Sequence, residues 1–176
     1  NRNGFNNAIA GPLVIGDGVS LAVVQSAQSL ELPTSTTITV NVNGTLNLNG
    51  FDDGLGALTL DGGTVMTGSG TLTLQGNVTS LASSAVATIS GNLSLGGATR
   101  TFDVGIGSPS IDMLISAKII VDSAIAGLTK TGLGDLQISG TNTYSGLTTL
   151  SGGKTFISNV SALGTTGGST NATVVG

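Results

Sequence analysis

Gly70-Thr-Leu-Thr-Leu-Gln-Gly76 decides the fold, because the chain writes it four more times with small changes: Gly44-Thr-Leu-Asn-Leu-Asn-Gly50, Gly56-Ala-Leu-Thr-Leu-Asp-Gly62, Gly91-Asn-Leu-Ser-Leu-Gly-Gly97 and Gly134-Asp-Leu-Gln-Ile-Ser-Gly140. Each copy reads as a short strand with two apolar residues on one face and small polar residues on the other. Glycine closes both ends, where the chain turns at little steric cost. A strand this short cannot bury its apolar face alone, so the copies must stack on one another. The apolar centres Leu72, Leu93, Met113 or Ile115, and Leu136 recur at about 21 or 22 residues, which is one turn of a three-sided β-solenoid. In the first half Leu58, between Leu46 and Leu72, reads as a second side of the same turn.

The remaining sides are supplied by other short alternating runs: Leu13 to Ile15, Leu21 to Val24, Thr37 to Val42, Thr64 to Thr67, Ala85 to Ile89, Thr101 to Val104, Met113 to Val121, Thr148 to Leu150, Thr155 to Ile157 and Thr173 to Val175. Asp17-Gly18, Asp61-Gly62-Gly63, Gly96-Gly97 and Gly152-Gly153 punctuate turns between them. Val19 to Leu32 is the one stretch with a helical alternative, and its helix signals are weak. The expectation is an all-β chain forming a single domain over residues 1–176, with about eight turns of roughly 22 residues, a rod on the order of 40 Å long. Leu72, Leu74, Leu93, Leu95, Leu136 and Ile138 should form an interior stack, with Ser94, Asp135, Gln137 and Ser139 facing out.

Composition restricts the partners. With four Phe, one Tyr and no Trp, the core must be aliphatic; with 8% charged residues, the outer surface must be Ser, Thr, Asn and Gly. The net charge is -4, and Arg2, Arg100, Lys118, Lys130 and Lys154 are the only basic residues, so no basic patch exists to neutralise phosphates and nucleic acid is not an expected partner. Mean hydropathy is +0.40, yet no apolar run approaches the roughly 18 residues of a membrane-spanning helix. A transmembrane barrel would need strands of about 9 to 11 residues and aromatic girdles, and this chain supplies neither. The absence of cysteine suits a chain exported unfolded. The start at Asn1, without a basic and apolar leader, implies that an export signal is removed or lies outside this stretch.

The second half resembles a known family. Arg100-Thr-Phe-Asp-Val104 leads into Gly127-Leu-Thr-Lys-Thr-Gly-Leu-Gly-Asp-Leu-Gln-Ile-Ser-Gly-Thr-Asn-Thr-Tyr-Ser-Gly146, followed by Thr148-Thr-Leu-Ser-Gly-Gly153 and Ser161-Ala-Leu-Gly164. Over residues 99 to 166 this is similar to the passenger-associated transport repeat of bacterial autotransporter passengers. The resemblance implies a right-handed parallel β-helix, export across two membranes, and display on or release from the bacterial cell surface. It implies no catalytic site. Asp135 stands where the family usually has Thr, and Lys154 adds a residue after the glycine pair. On the residues themselves, Tyr144 should lay its ring along a turn with its hydroxyl in water, and Asn142 should hydrogen-bond backbone at a corner.

Chemistry is sparse. Without His or Cys, nucleophilic triads and zinc sites cannot be assembled. Asp52-Asp53 is the only adjacent acidic pair, and it reads as a solvated loop rather than a calcium site, since six to eight oxygens are needed and only Asp61 lies near in sequence. Gly132-Leu-Gly-Asp135 resembles part of a calcium-binding nonapeptide but occurs once, with the aspartate one position early. Sugar-cleaving β-helices gather acids, bases and aromatics in a cleft, whereas here the acids are spread at one per turn or fewer. Thr37/Thr39, Thr71/Thr73, Thr99/Thr101, Thr129/Thr131 and Thr141/Thr143 form Thr-x-Thr pairs, but their spacing is not that of one turn, so β-propensity explains them without an ordered ladder. No residue is assigned a catalytic, cofactor-binding or metal role, and no cofactor is expected. Asn43, Asn77, Asn92, Asn159 and Asn171 begin Asn-x-Ser/Thr triplets of the kind this composition produces by itself.

The expected function is that of a non-enzymatic extracellular structural or adhesin-scaffold rod, exposed on or released from a bacterial surface. The alternative is a carbohydrate- or protein-binding module using a Thr/Asn-rich face. Surface glycans and host or neighbour-cell proteins are the candidate partners. The last strand, Thr173-Val-Val-Gly176, carries no cap, so head-to-tail self-association into filaments is a further expectation.

Overall fold

A computed structural model describes residues 8–9, 11–121, 124–165 and 173–176. The described residues contain seventeen strands and no helix, and every strand pairing is parallel. The first side of the solenoid is an eight-stranded sheet of β1 (Leu13–Ile15), β3 (Ile38–Asn41), β6 (Leu58–Asp61), β8 (Val78–Ser80), β10 (Arg100–Val104), β13 (Leu128–Thr131), β15 (Thr148–Leu150) and β17 (Thr173–Val175). The second side stacks β2 (Ala22–Gln25), β4 (Gly44–Asn47), the first part of β7 (Thr64–Leu74), the first part of β9 (Ala87–Ser94), β11 (Met113–Ile115), β14 (Leu136–Ile138) and β16 (Thr155–Ile157). On the third side β5 (Asp53–Leu55) pairs the end of β7, which pairs the end of β9, which pairs β12 (Lys118–Ile120). Strands β7 and β9 therefore run round a corner unbroken, with a register shift between Met66 and Thr71.

This is the expected three-sided β-solenoid, with one numerical difference. Eight strands on the first side enclose seven turns rather than eight, about 34 Å at one strand spacing per turn. The turns are unequal. Leu58 and Val78, 20 residues apart, are partners, as are Phe102 and Lys130, 28 apart. The extra residues fall between Val104 and Met113 and between Ile120 and Leu128 in the chain. They also alter the expected columns. Leu72 stacks on Leu93 as anticipated, but the column continues at Ile119, whereas Leu136 belongs to the second side with Ala87 and Met113. All six leucines and isoleucines expected inside are buried, on two sides of the solenoid rather than in one stack.

Val19 to Leu32 holds the short strand β2 and otherwise bends, with no helix. Met113 to Val121 divides into β11 and β12 at a corner. Ser94, expected on the surface, is buried at the end of β9 between Thr73 and Ile120, and its hydroxyl accepts the Gly96 N–H at 3.0 Å; at the same corner Arg100 donates from Nε to the Leu95 carbonyl at 2.7 Å and from its guanidinium to the Gln75 carbonyl at 2.9 Å. Glycine at the repeat boundaries does more than turn the chain. At Gly140 a Cβ would strike the Ala117 carbonyl of the preceding turn, so close backbone approach, not positive φ, demands the residue.

Candidate functional site

Two outer features and one inner feature hold the polar side chains in defined places. The first is the outward face of the first sheet. Pairing places Thr39, Thr59, Thr79, Asp103 and Thr131 in one column, and Thr101, Thr129 and Thr149 in a second column two residues along. All seven threonines are half-buried, their neighbours above and below covering part of each side chain. Hydroxyls and methyls thus repeat at about 4.8 Å along the rod and about 6.7 Å across it. Thr131 Oγ1 donates to Asp103 Oδ1 at 2.8 Å. Linear spacing argued against such columns. The structure aligns part of them, Thr39 with Thr131 and Thr101 with Thr129, because unequal loops and not unequal registers separate these threonines, while Thr71 and Thr73 lie on the third side. Valines interrupt the array at Val14 and Val174.

The second feature is an open groove of about 520 Å³ at the corner between the first and second sides, lined by Ile106, Pro109, Leu133, Asp135, Gly153 and Lys154 among others. Its acids are already engaged. Asp112 accepts the Gly107 N–H at 2.6 Å and the Asp135 N–H at 2.7 Å, and one turn further Asp135 accepts the Lys154 N–H at 3.1 Å. Lys154 Nζ lies 3.9 Å from the other Asp135 oxygen. The two aspartates form a vertical ladder that ties turn to turn. No three acidic, His or Cys side chains converge on a metal position among the described residues.

Asp52 and Asp53 separate. Asp52 is exposed and accepts the Thr71 N–H at 2.8 Å, while Asp53 is buried and takes the N–H groups of Glu31, Leu32 and Gly54 at 2.8 to 3.2 Å. The expected solvation holds for Asp52 and fails for Asp53, and the two carboxylates bind different backbone groups. Burial raises the Asp53 carboxyl above its ordinary range, with the three N–H bonds pulling the other way.

The third feature is inside. Lys130 stands in the inward column between Phe102 and Leu150 and is fully buried. Its Nζ donates to the carbonyls of Thr131 at 3.0 Å, Gly132 at 2.7 Å and Gly152 at 2.8 Å. Burial lowers its pKa, opposed by Asp135, Asp103 and Asp112. The core is therefore not purely aliphatic. The signal was present: Leu128 and Lys130 are two apart, so a strand that buries one buries the other.

Farther along, Asn142 forms the corner bonds expected of it. Its Oδ1 accepts the Ile119 N–H at 2.7 Å and its Nδ2 donates to the Ala162 carbonyl at 2.6 Å. Tyr144 corrects its expectation. It is fully buried, with its hydroxyl 2.7 Å from Thr148 Oγ1 instead of in water, because residues 161–165 close over it and Thr148 points inward. Burial raises its pKa, with the Thr148 bond acting the other way.

The fold and these features define an extended β-solenoid whose polar groups mainly fasten one turn to the next. The chain is similar to the adhesin BmaC autotransporter of Brucella suis biovar 1 (strain 1330), with 40% identity over 119 aligned positions covering 60% of this chain and 3% of that protein. The chain thus spans a small part of the relative's length. No protein-family model matches the chain, and no solved structure matches it. No helix among the described residues is long and apolar enough to cross a membrane.

Proposed function

We propose that this chain is part of a surface-displayed bacterial adhesin, where it acts as a non-enzymatic scaffold. The observation that carries the reading is the unbroken parallel pairing of eight strands on one side, in a chain 40% identical over its aligned region to a protein named as an autotransporter adhesin. Such a rod works by geometry: each turn is held by its neighbours, and the whole sets a distance from the membrane. A surface or extracellular location is part of the same reading.

The threonine columns favour a second role within it, contact with a surface glycan or a cell-surface protein. They are regular, largely uncharged and lie along one side. Bacteria displaying the chain on an unrelated outer-membrane anchor supply the test. If the columns bind, displayed chain or purified chain retains cells or glycans on an array, and Thr59→Lys with Thr129→Lys abolishes it while melting stays unchanged. Retention equal in both forms removes the second role. If displayed chain neither binds nor extends the reach of a binding domain fused beyond it, the scaffold reading fails.

A further inference from the structure

A buried ammonium in a solenoid lumen must be held by acceptors, because an unpaired charge in such a place is very costly. Here the acceptors are three backbone carbonyls from two successive turns, all within 2.7 to 3.0 Å of Lys130 Nζ, and no carboxylate lies within ion-pair distance of it among the described residues. Two of those carbonyls belong to Gly132 and Gly152, both at positive φ, and a Cβ on the adjoining Gly153 would stand 2.7 Å from the ammonium. Asp103, Asp112 and Asp135 surround the corner at longer range and add negative potential. Backbone oxygens converging on one point, in a negative field and closed to water, are the elements of a cation site.

We propose that the corner that follows β13 in one turn and β15 in the next is a three-carbonyl cation site that the chain occupies with its own Lys130, and that it accepts a primary ammonium or potassium ion when that side chain is shortened. The oxygen distances suit a large monovalent cation. They exceed the about 2.3–2.6 Å of calcium and the about 2.0–2.1 Å of magnesium, and three neutral carbonyls compensate one charge better than two. The lysine makes the site independent of any ion in solution, and it ties the Gly132 turn to the Gly152 turn as the aspartate ladder does on the outside.

The test uses the full 176-residue chain as Lys130→Ala, which empties both the stem and the head of the site. Its melting temperature is expected to fall well below that of the parent, and to recover part of the loss in n-propylammonium chloride, less in potassium chloride, and least in choline chloride at equal ionic strength. The parent should not distinguish these salts. Equal melting of Lys130→Ala in propylammonium and choline overturns the proposal. Should the alanine variant not fold, Lys130→Met keeps the stem volume and removes the charge: a lower melting temperature than the parent supports the site, and an equal or higher one overturns it.

Discussion

Tyr144 and Thr148 are four residues apart, face the same interior, and satisfy one another there, which is how a mainly apolar lumen tolerates these two hydroxyls. Tyr144→Phe strands the Thr148 hydroxyl and should cost about 1–3 kcal/mol, whereas adding Thr148→Val should cost far less than the same change made alone. Denaturant midpoints of the two single variants and the double variant check this, and additive losses would contradict the pair. Ser80 Oγ, by contrast, is buried without a hydrogen-bond partner. Asp53 gives a dependence on pH. Because burial raises its pKa in the folded chain above the unfolded value, the folded state holds the proton more tightly. The charged carboxylate therefore detracts from stability at neutral pH, and that loss is recovered as pH falls through the folded pKa towards the unfolded value near 3.8. Melting curves from pH 7 downward should show the parent gaining on Asp53→Asn as acidity rises. A parent that loses ground to the variant would reverse the sign.

At the scale of the element, the unit is the turn. Leu93 sits fully buried between Leu72 and Ile119, so Leu93→Ala should cost about 2–5 kcal/mol, and Leu93→Asp should prevent folding; Thr88→Ala, on an outward position, should stay within about 0.5 kcal/mol. Ser94→Asp should not be silent, given that Ser94 is buried. Turns of equal length are also interchangeable. Ile38, Leu58 and Val78 are register partners at 20-residue intervals, so removing residues 58–77 brings β8 onto β3 and β9 onto β4 and β5 in an equivalent register. The shortened chain should keep a β-type circular dichroism spectrum and melt cooperatively at a modestly lower temperature. An unfolded product would show that this turn is not an autonomous repeat.

For the whole molecule, stability is a sum of neighbour contacts, and among the described residues the outermost strands have one partner each: β1 and β2 at one margin of the two large sheets, β17 and β16 at the other. End-on pairing of isolated chains is the proposal that follows, a contact that does not close and so grows filaments. The Gly176 N–H donates to the Leu150 carbonyl, so by alternation Val174 directs its N–H to β15 and Val175 directs its own away. Val175→Pro therefore removes an outward donor and spares the internal ladder. Light scattering over a concentration series should show growth for the parent and suppression for Val175→Pro. A parent that stays monomeric, or a variant that grows equally, would end the idea.

The sequence by itself determined most of the strands, their inward residues and their stacking into a solenoid, because alternation and glycine punctuation are local and act within a few residues of each other. Leu72, Leu93 and Leu136 were legible in this way, as was the amide of Asn142 at its corner. Tertiary structure alone decided which strand lies on which. Corner loops of different length add residues without altering the ladder, so counting along the chain placed Leu136 on the wrong side and scattered threonines that pairing aligns. It also decided the fate of the polar side chains. Lys130 and Tyr144 face inward by the same alternation that governs leucine, and only carbonyls and a hydroxyl brought from elsewhere in the fold let them remain there.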